Sequence, residues 1–174
     1  MRAARASLAA VDVERFSAAV CASVLAMRAF ATAAHVVVYA PMDKEIDPGT
    51  VALRARAAGK PVYYPAPTGD LEFLGGSSPA EDRRLSAPTA SLLILVPGLA
   101  FDREGVRLGR GVGWYDRVLG RHPDAIRIGL AYDFQVVPAL PRETWDVPMH
   151  AIVTEAQVLG DPFQVPAPME ENRS

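Results

Sequence analysis

The chain has 174 residues, half of them hydrophobic and 22% charged, with 18 basic against 20 acidic side chains. That length suits one domain with a substantial core, and the composition excludes global disorder. The net charge of −2 speaks against a general nucleic-acid or membrane-surface binder, which carries a basic excess.

Residues 2–29 are alanine-rich and lack Gly and Pro. Leu8, Val11, Phe16, Val20, Val24 and Met27 recur at helical spacing, which predicts one or two helices with a core-facing stripe. Asp12, Glu14 and Arg15 interrupt any apolar run, so a signal peptide is not expected. No segment approaches the roughly 18 apolar residues of a membrane span, and a cytoplasmic, reducing setting is the expectation. Cys21 is the only cysteine. It excludes an internal disulfide or a cysteine-based zinc site, and its place on the stripe makes it a small core residue.

His35-Val-Val-Val-Tyr39 reads as a buried strand. Residues 40–48 form a loop, and Pro48 opens a helix that Gly59 closes. Residues 62–64 read as a second strand, with a candidate third at residues 71–73. Residues 75–91, with paired glycines and two prolines, read as a polar connection. The most apolar run, residues 92–96, reads as a central strand. A Gly-rich loop fills residues 97–113, a helix follows over residues 114–121, and residues 126–132 and 151–154 are further strands. The expected organisation is one domain over residues 1–160 and a frayed tail over residues 161–174. Strands alternating with helices point to an α/β fold with a mostly parallel sheet, which binds ligands at the carboxyl ends of its strands. The loops at 40–48, 97–113 and 132–150 are therefore where chemistry is expected.

Residues 96–117 read Val-Pro-Gly-Leu-Ala-Phe-Asp-Arg-Glu-Gly-Val-Arg-Leu-Gly-Arg-Gly-Val-Gly-Trp-Tyr-Asp-Arg. Gly109, Gly111 and Gly113 alternate just before a helix, where successive N–H groups make an anion cradle. Arg107 and Arg110 can add bidentate contacts to phosphate or carboxylate. Asp116, in the first helical turn, can take a divalent cation with nucleotide phosphates. The segment is neither a P-loop nor the G-x-G-x-x-G fingerprint. The plainer alternative is a glycine-rich surface loop with solvated arginines, in which Asp116 only complements the helix dipole.

The stretches at residues 96–102 and 105–117 resemble the signature of the 5-formyltetrahydrofolate cyclo-ligase (methenyltetrahydrofolate synthetase) family. Further likeness lies in Ile128-Gly-Leu-Ala-Tyr-Asp-Phe-Gln135, Leu140-Pro141, Trp145-Asp-Val-Pro148, Ala151-Ile-Val-Thr-Glu155 and the Tyr39…Glu45-Ile-Asp47 segment. It covers roughly residues 35–75 and 92–158. The resemblance implies a single-domain open α/β sheet, mostly parallel and flanked by helices, of the cyclo-ligase, NagB/RpiA-like kind. It also implies a monomer that acts on 5-formyltetrahydrofolate with ATP and Mg2+ and has no nucleic-acid or membrane partner. In that family the N5-formyl oxygen attacks the γ-phosphate, N10 attacks the imidate phosphate, and phosphate leaves. No covalent protein nucleophile is needed, and none is evident here.

On the matching positions, the resemblance implies an ATP loop of Arg107, Leu108, Gly109, Arg110, Gly111, Val112, Gly113, Trp114 and Tyr115. Arg107 and Arg110 would face phosphate oxygens, and Arg110 and Tyr115 would stand at the chemistry. Trp114 would pack by the nucleotide or pterin. Glu45, with Ala40 nearby, would bind the pterin, whose adjacent N–H donors suit a carboxylate. Asp116 and Asp146 would hold Mg2+. Plainer readings stand beside these. Glu45 and Asp47 could simply begin the next helix, Asp146 could be a turn residue, and Trp145, His35 and His150 are more readily structural. Asp133 and Gln135 match the family without an evident role.

Two family segments are unmatched. No lysine precedes Lys44, where the family has an N-terminal Lys-x-x-Leu-Arg, as if the chain began at that helix's second turn; Arg2 and Arg5 align with later arginines. No Gly-x-x-Glu-Pro lies between the middle strands. Two other readings therefore accompany the cyclo-ligase: a diverged member that binds folate or nucleotide without turnover, and an ATP-using enzyme with another substrate.

Overall fold

Short apolar runs build a sheet whose central strands all point one way. In the computed structural model, which describes residues 1–65, 71–73, 91–111, 113–143 and 146–161, helices α1 (Arg2–Ala6), α2 (Ala10–Ala26) and α3 (Arg28–Thr32) precede strand β1 (His35–Val37). Then come α4 (Gly49–Ala57), β2 (Val62–Pro65), β3 (Leu71–Phe73) and β4 (Leu92–Pro97). After β5 (Ala100–Asp102) and β6 (Arg107–Leu108), helix α5 (Trp114–Arg121) leads to β7 (Ile126–Leu130). A 3-10 turn (Asp133–Gln135), β8 (Val136–Val137), β9 (Ala151–Val153) and β10 (Val158–Gly160) complete the order.

The main sheet runs β10-β9-β7-β4-β1-β2-β3. Its five inner strands are parallel, and β3 and β10 close the two edges antiparallel. Side chains alternate between two cores, as the pleat requires. Val36, Leu93 and Leu95 face α2, α3 and α4 through Val20, Val24, Ala29, Val51 and Ala55. Val37, Ile94 and Val96 face α5 and the connection after β4 through Val118, Leu119 and Phe101. With both faces covered, β4 is apolar throughout rather than alternating, which is why it stood out in the sequence.

The expected α/β architecture is present, with three refinements. The N-terminal segment is three helices, and Val11, assigned to the buried stripe, is 68% exposed because it sits in the first turn of α2, ahead of the buried stretch from Ser17 to Val24. The C-terminal ends of α1 and α3, which lack Gly or Pro, are each closed by an ammonium. Lys44 Nζ donates to the carbonyls of Ala6 and Leu8, and Lys60 Nζ donates to those of Phe30, Ala31 and Ala33. These supply donors to carbonyls that a helix end leaves unpaired, where the dipole also favours positive charge.

The Gly-rich loop is not a simple loop. Its first half pairs as β6-β5-β8 in a small second sheet, held together by Asp102. That buried carboxylate accepts from the amides of Glu104, Val106 and Leu140. Strand β10 (Val158–Gly160), which was not foreseen, ends just before the residues expected in the tail. The polar connection, apart from Ser91, and residues 162–174 lie outside the described residues. Among the described residues no helix is long and apolar enough to cross a membrane.

Arg127 on β7 anchors the sheet to the segment before β9. Its guanidinium donates to the carbonyls of Pro123, Ala125 and Pro148, and its amide donates to His150 Nδ1. Burial, aided by the Arg127 charge, pushes the His150 imidazole down to about 4. The unfolded chain takes up this proton near 6.5 and the folded chain only near 4. Folding stability is therefore full above pH 6.5 and declines as pH falls toward 4, by about 2–3 kcal/mol from this group. Denaturant melts of the parent and of His150→Asn between pH 7 and 4 should show a flatter decline in the variant.

Candidate active site

Parallel strands place their following loops on one edge, and the sheet order decides which loops meet. From β1 the chain steps outward to β2, whereas β4 returns to the other side of β1 and continues through β7 to β9. Loops leaving β1 and β4 therefore diverge, which opens a crevice at their carboxyl ends. The loop at 40–48 lines one side and the segment at 98–113 the other.

The first loop is held from inside. Tyr39 Oη donates to the Ile46 carbonyl at 2.6 Å, and Tyr132 Oη donates to that of Lys44 at 2.8 Å. Asp43 and Lys44 both take positive φ, 48° and 57°, a conformation L residues adopt reluctantly. That pair of residues turns Glu45 inward. Its side chain is 8% exposed and its Oε2 accepts the Met42 amide at 3.1 Å.

The second segment reaches over. Arg110 donates to Glu45 Oε1 at 3.1 Å and pairs with Asp43 Oδ2 at 2.9 Å. Arg5 of α1, with a side chain 3% exposed, approaches the same Glu45 oxygen at 3.7 Å. One carboxylate thus lies between two guanidiniums from distant parts of the chain. Burial works against the Arg110 charge, but its bonds to Glu45 and Asp43 prevail and its pKa is raised. Burial, with Glu45 adding to it, pushes the Tyr115 phenol well above its ordinary range. Tyr132 is pushed up by burial to about 12. Both are therefore neutral hydroxyls near neutral pH.

The glycine expectations resolve individually. Gly111 and Gly113 have positive φ, 82° and 63°, and Gly113 is the N-terminal cap of α5. Gly109 serves space instead: a Cβ there would lie 2.5 Å from Arg107 Nη1. The Arg107 guanidinium, 8% exposed on its side chain, passes this point to donate to Asp116 Oδ1 at 2.9 Å and lies over the Tyr115 ring. Leu108 is 47% exposed, and Ala40 is exposed where the first loop starts. Trp114 packs against the second core, with its indole N–H buried and, among the described residues, without a hydrogen-bond partner.

Asp146 lies on the third loop, where its Oδ2 accepts the Glu143 amide at 2.8 Å, the turn alternative foreseen for it. Val112 and Trp145 lie outside the described residues. Among the described residues no group of three or more His, Cys, Asp and Glu side chains forms a protein-only metal site.

The profile of the 5-formyltetrahydrofolate cyclo-ligase family matches residues 1–155. The chain belongs to this family. It is 36% identical over 146 residues to the 5-formyltetrahydrofolate cyclo-ligase of Escherichia coli K12, covering 72% of this chain and 80% of that one. The solution structure of the Aquifex aeolicus 5,10-methenyltetrahydrofolate synthetase superposes with a TM-score of 0.78 at 29% identity, over 98% of this chain and 93% of that one. A synthetase of that name from Mycoplasma pneumoniae shares the fold, with a TM-score of 0.74 at 20% identity over 88% and 93% of the two chains. By this membership the chain is a ligase of folate metabolism.

Several residues of the cyclo-ligase motifs prove to be architectural. Phe101 fills the space left by two glycines: a Cβ at Gly98 or Gly129 would lie 2.7 or 2.6 Å from its ring. Gln135 accepts the Tyr132 amide and donates to the carbonyls of Gly98 and Leu99. Asp133 accepts from Thr154 and Gln157. Asp47 accepts the Gly49 amide as α4 begins, the plainer role foreseen for it. Cys21 is buried, as expected, and donates to the Asp47 carbonyl. Arg5, Asp43 and Tyr132 belong to the site, yet nothing local marks them. Each reaches Glu45 or its loop from elsewhere in the chain or from an unremarkable polar turn.

Proposed function

We propose that this cyclo-ligase closes 5-formyltetrahydrofolate to 5,10-methenyltetrahydrofolate, with ATP taken up as its Mg2+ complex and converted to ADP and phosphate. The observation that carries the reading is the meeting of Glu45 and Arg110 across the crevice beside the N-terminus of α5. A buried carboxylate suits the adjacent N–H donors of a pterin. A guanidinium beside backbone N–H groups at positive φ suits the phosphates of a nucleotide. The two must be adjacent, because the formyl oxygen attacks the γ-phosphate directly.

The donor chemistry also fits Mg2+. Asp116 gives one oxygen to Arg107, and Asp146 gives one to an amide, which leaves each an oxygen. Mg2+ bound with a nucleotide needs only one or two carboxylates besides phosphates and water. When bound, the ion supplies neutralisation of charge developing on the phosphates. Arg107, Arg110 and the glycine amides bind and orient the nucleotide. Tyr115, kept neutral, can donate a hydrogen bond into the site.

The test is growth of methenyltetrahydrofolate absorbance when the protein is mixed with 5-formyltetrahydrofolate, ATP and Mg2+. Growth that requires both ATP and Mg2+ is the expected result. No growth, with folate binding retained in calorimetry, would establish the diverged binder instead. Glu45→Gln should raise KM for 5-formyltetrahydrofolate by about ten- to a hundredfold, the value of hydrogen bonds to a charged acceptor. KM for ATP should not rise. Steady-state titration of each substrate reads both.

A further inference from the structure

We propose that Arg110 is a shared latch, held by Asp43 and Glu45 in the free protein and released toward the nucleotide when folate takes Glu45. The inference rests on the cyclo-ligase reading and adds to it a coupling between the two substrates, with Asp43 as a positioning residue.

Arg110 divides its guanidinium between two carboxylates. Its Nη2 faces Glu45 at 3.1 Å and its Nη1 faces Asp43 at 2.9 Å. The two halves differ in strength. The Glu45 side chain is 8% exposed and that of Asp43 is 70% exposed. An exposed pair adds little, whereas stripping a buried carboxylate of its partner is costly unless another donor replaces it. A ligand with two adjacent N–H groups is such a donor. It can take Glu45 Oε1 only by displacing the Arg110 Nη2 that now occupies it.

Arg5 makes the exchange workable. It lies 3.7 Å from the same oxygen, is buried, and its Nε has no hydrogen-bond partner among the described residues. It stays behind as the counter-charge of Glu45 when Arg110 leaves. Arg110 is then held only by the exposed Asp43, and an anion can recruit it. In the free protein, phosphates compete with both carboxylates; with folate bound, they compete with one. Each substrate therefore raises the affinity for the other, by the same factor in both directions.

Calorimetric titrations of the full chain with a non-hydrolysable ATP analogue and Mg2+, with and without saturating 5-formyltetrahydrofolate, test this. The expected result is at least about fivefold tighter analogue binding with folate present, and the same factor when the order is reversed. Asp43→Asn is the informative variant, because Asn tolerates the positive φ of 48° at this position. It should bind the analogue about two- to fivefold more tightly than the parent without folate, as removal of an exposed pair allows. Such a gain is something mere loss of structure does not produce. Glu104→Gln removes an equal charge from another exposed turn and should give no gain.

Equal analogue affinity with and without folate would overturn the latch and leave the cyclo-ligase reading intact. So would an equal gain in Glu104→Gln, or no gain in Asp43→Asn. Failure of either substrate to bind the parent would overturn the functional reading and the latch together.

Discussion

Asp116→Asn is expected to lower kcat by about a hundred- to a thousandfold while 5-formyltetrahydrofolate binds within about twofold of the parent. Two effects of the carboxylate are lost at once. It is the proposed Mg2+ ligand at the start of α5, and it is the counter-ion that holds Arg107 at 2.9 Å. The Arg107 side chain is 8% exposed, so the amide leaves a nearly buried guanidinium without a charged partner, which also costs stability. The two roles separate by the Mg2+ dependence of the rate. If Asp116 holds the ion, raising Mg2+ should restore part of the lost rate. If it serves Arg107 alone, the Mg2+ dependence should match the parent's, and the rate and the melting temperature should fall together.

Gly105→Ala is expected to destabilise the fold by about 3–5 kcal/mol, a loss of roughly 10 °C in Tm for a chain of this size. Gly105 has φ +87°, and an added Cβ would lie 2.3 Å from the Met149 carbonyl oxygen. Backbone cannot yield as a flexible side chain does. The strain falls where Gly105 accepts the Met149 amide at 2.8 Å, a bond that ties the β5–β6 turn to the segment before β9. The same turn launches the strand that carries Arg107. Loss of activity should therefore accompany the loss of stability. Gly120→Ala is the matched control: it lies inside α5 with nothing within 4 Å of the added Cβ. Its Tm should rise slightly, by the helix preference of Ala over Gly. Thermal melts of both variants decide the point.

The family itself was legible in the chain, because the motif at 105–117 is long and its residue types are dictated by local needs. Gly111 and Gly113 satisfy positive φ, and Gly109 clears the path of Arg107. The inner strands were legible for a related reason. A strand buried on both faces is apolar at every position, as residues 92–96 are. Helix α5 was marked by its apolar spacing and its preceding glycine. The small sheet β6-β5-β8 was not legible, because two- and three-residue strands carry too few positions to show a period. The subdivision of the N-terminal helices was hidden as well. Its donors, Lys44 and Lys60, lie 27 to 38 residues downstream of the carbonyls they close.

The sequence by itself determined the fold class; residue type and local spacing marked the glycine-rich loop, Asp116 and both arginines as candidates, and the family resemblance marked Glu45. The tertiary structure alone decided their partners. It paired Arg107 with Asp116, and it set Arg110 and Arg5 on one buried Glu45. The two pairings with Glu45 depend on which distant segments the fold brings to one end of the sheet. The three pairings join residues 9, 65 and 40 positions apart, and no local spacing records which loops a sheet edge will bring together.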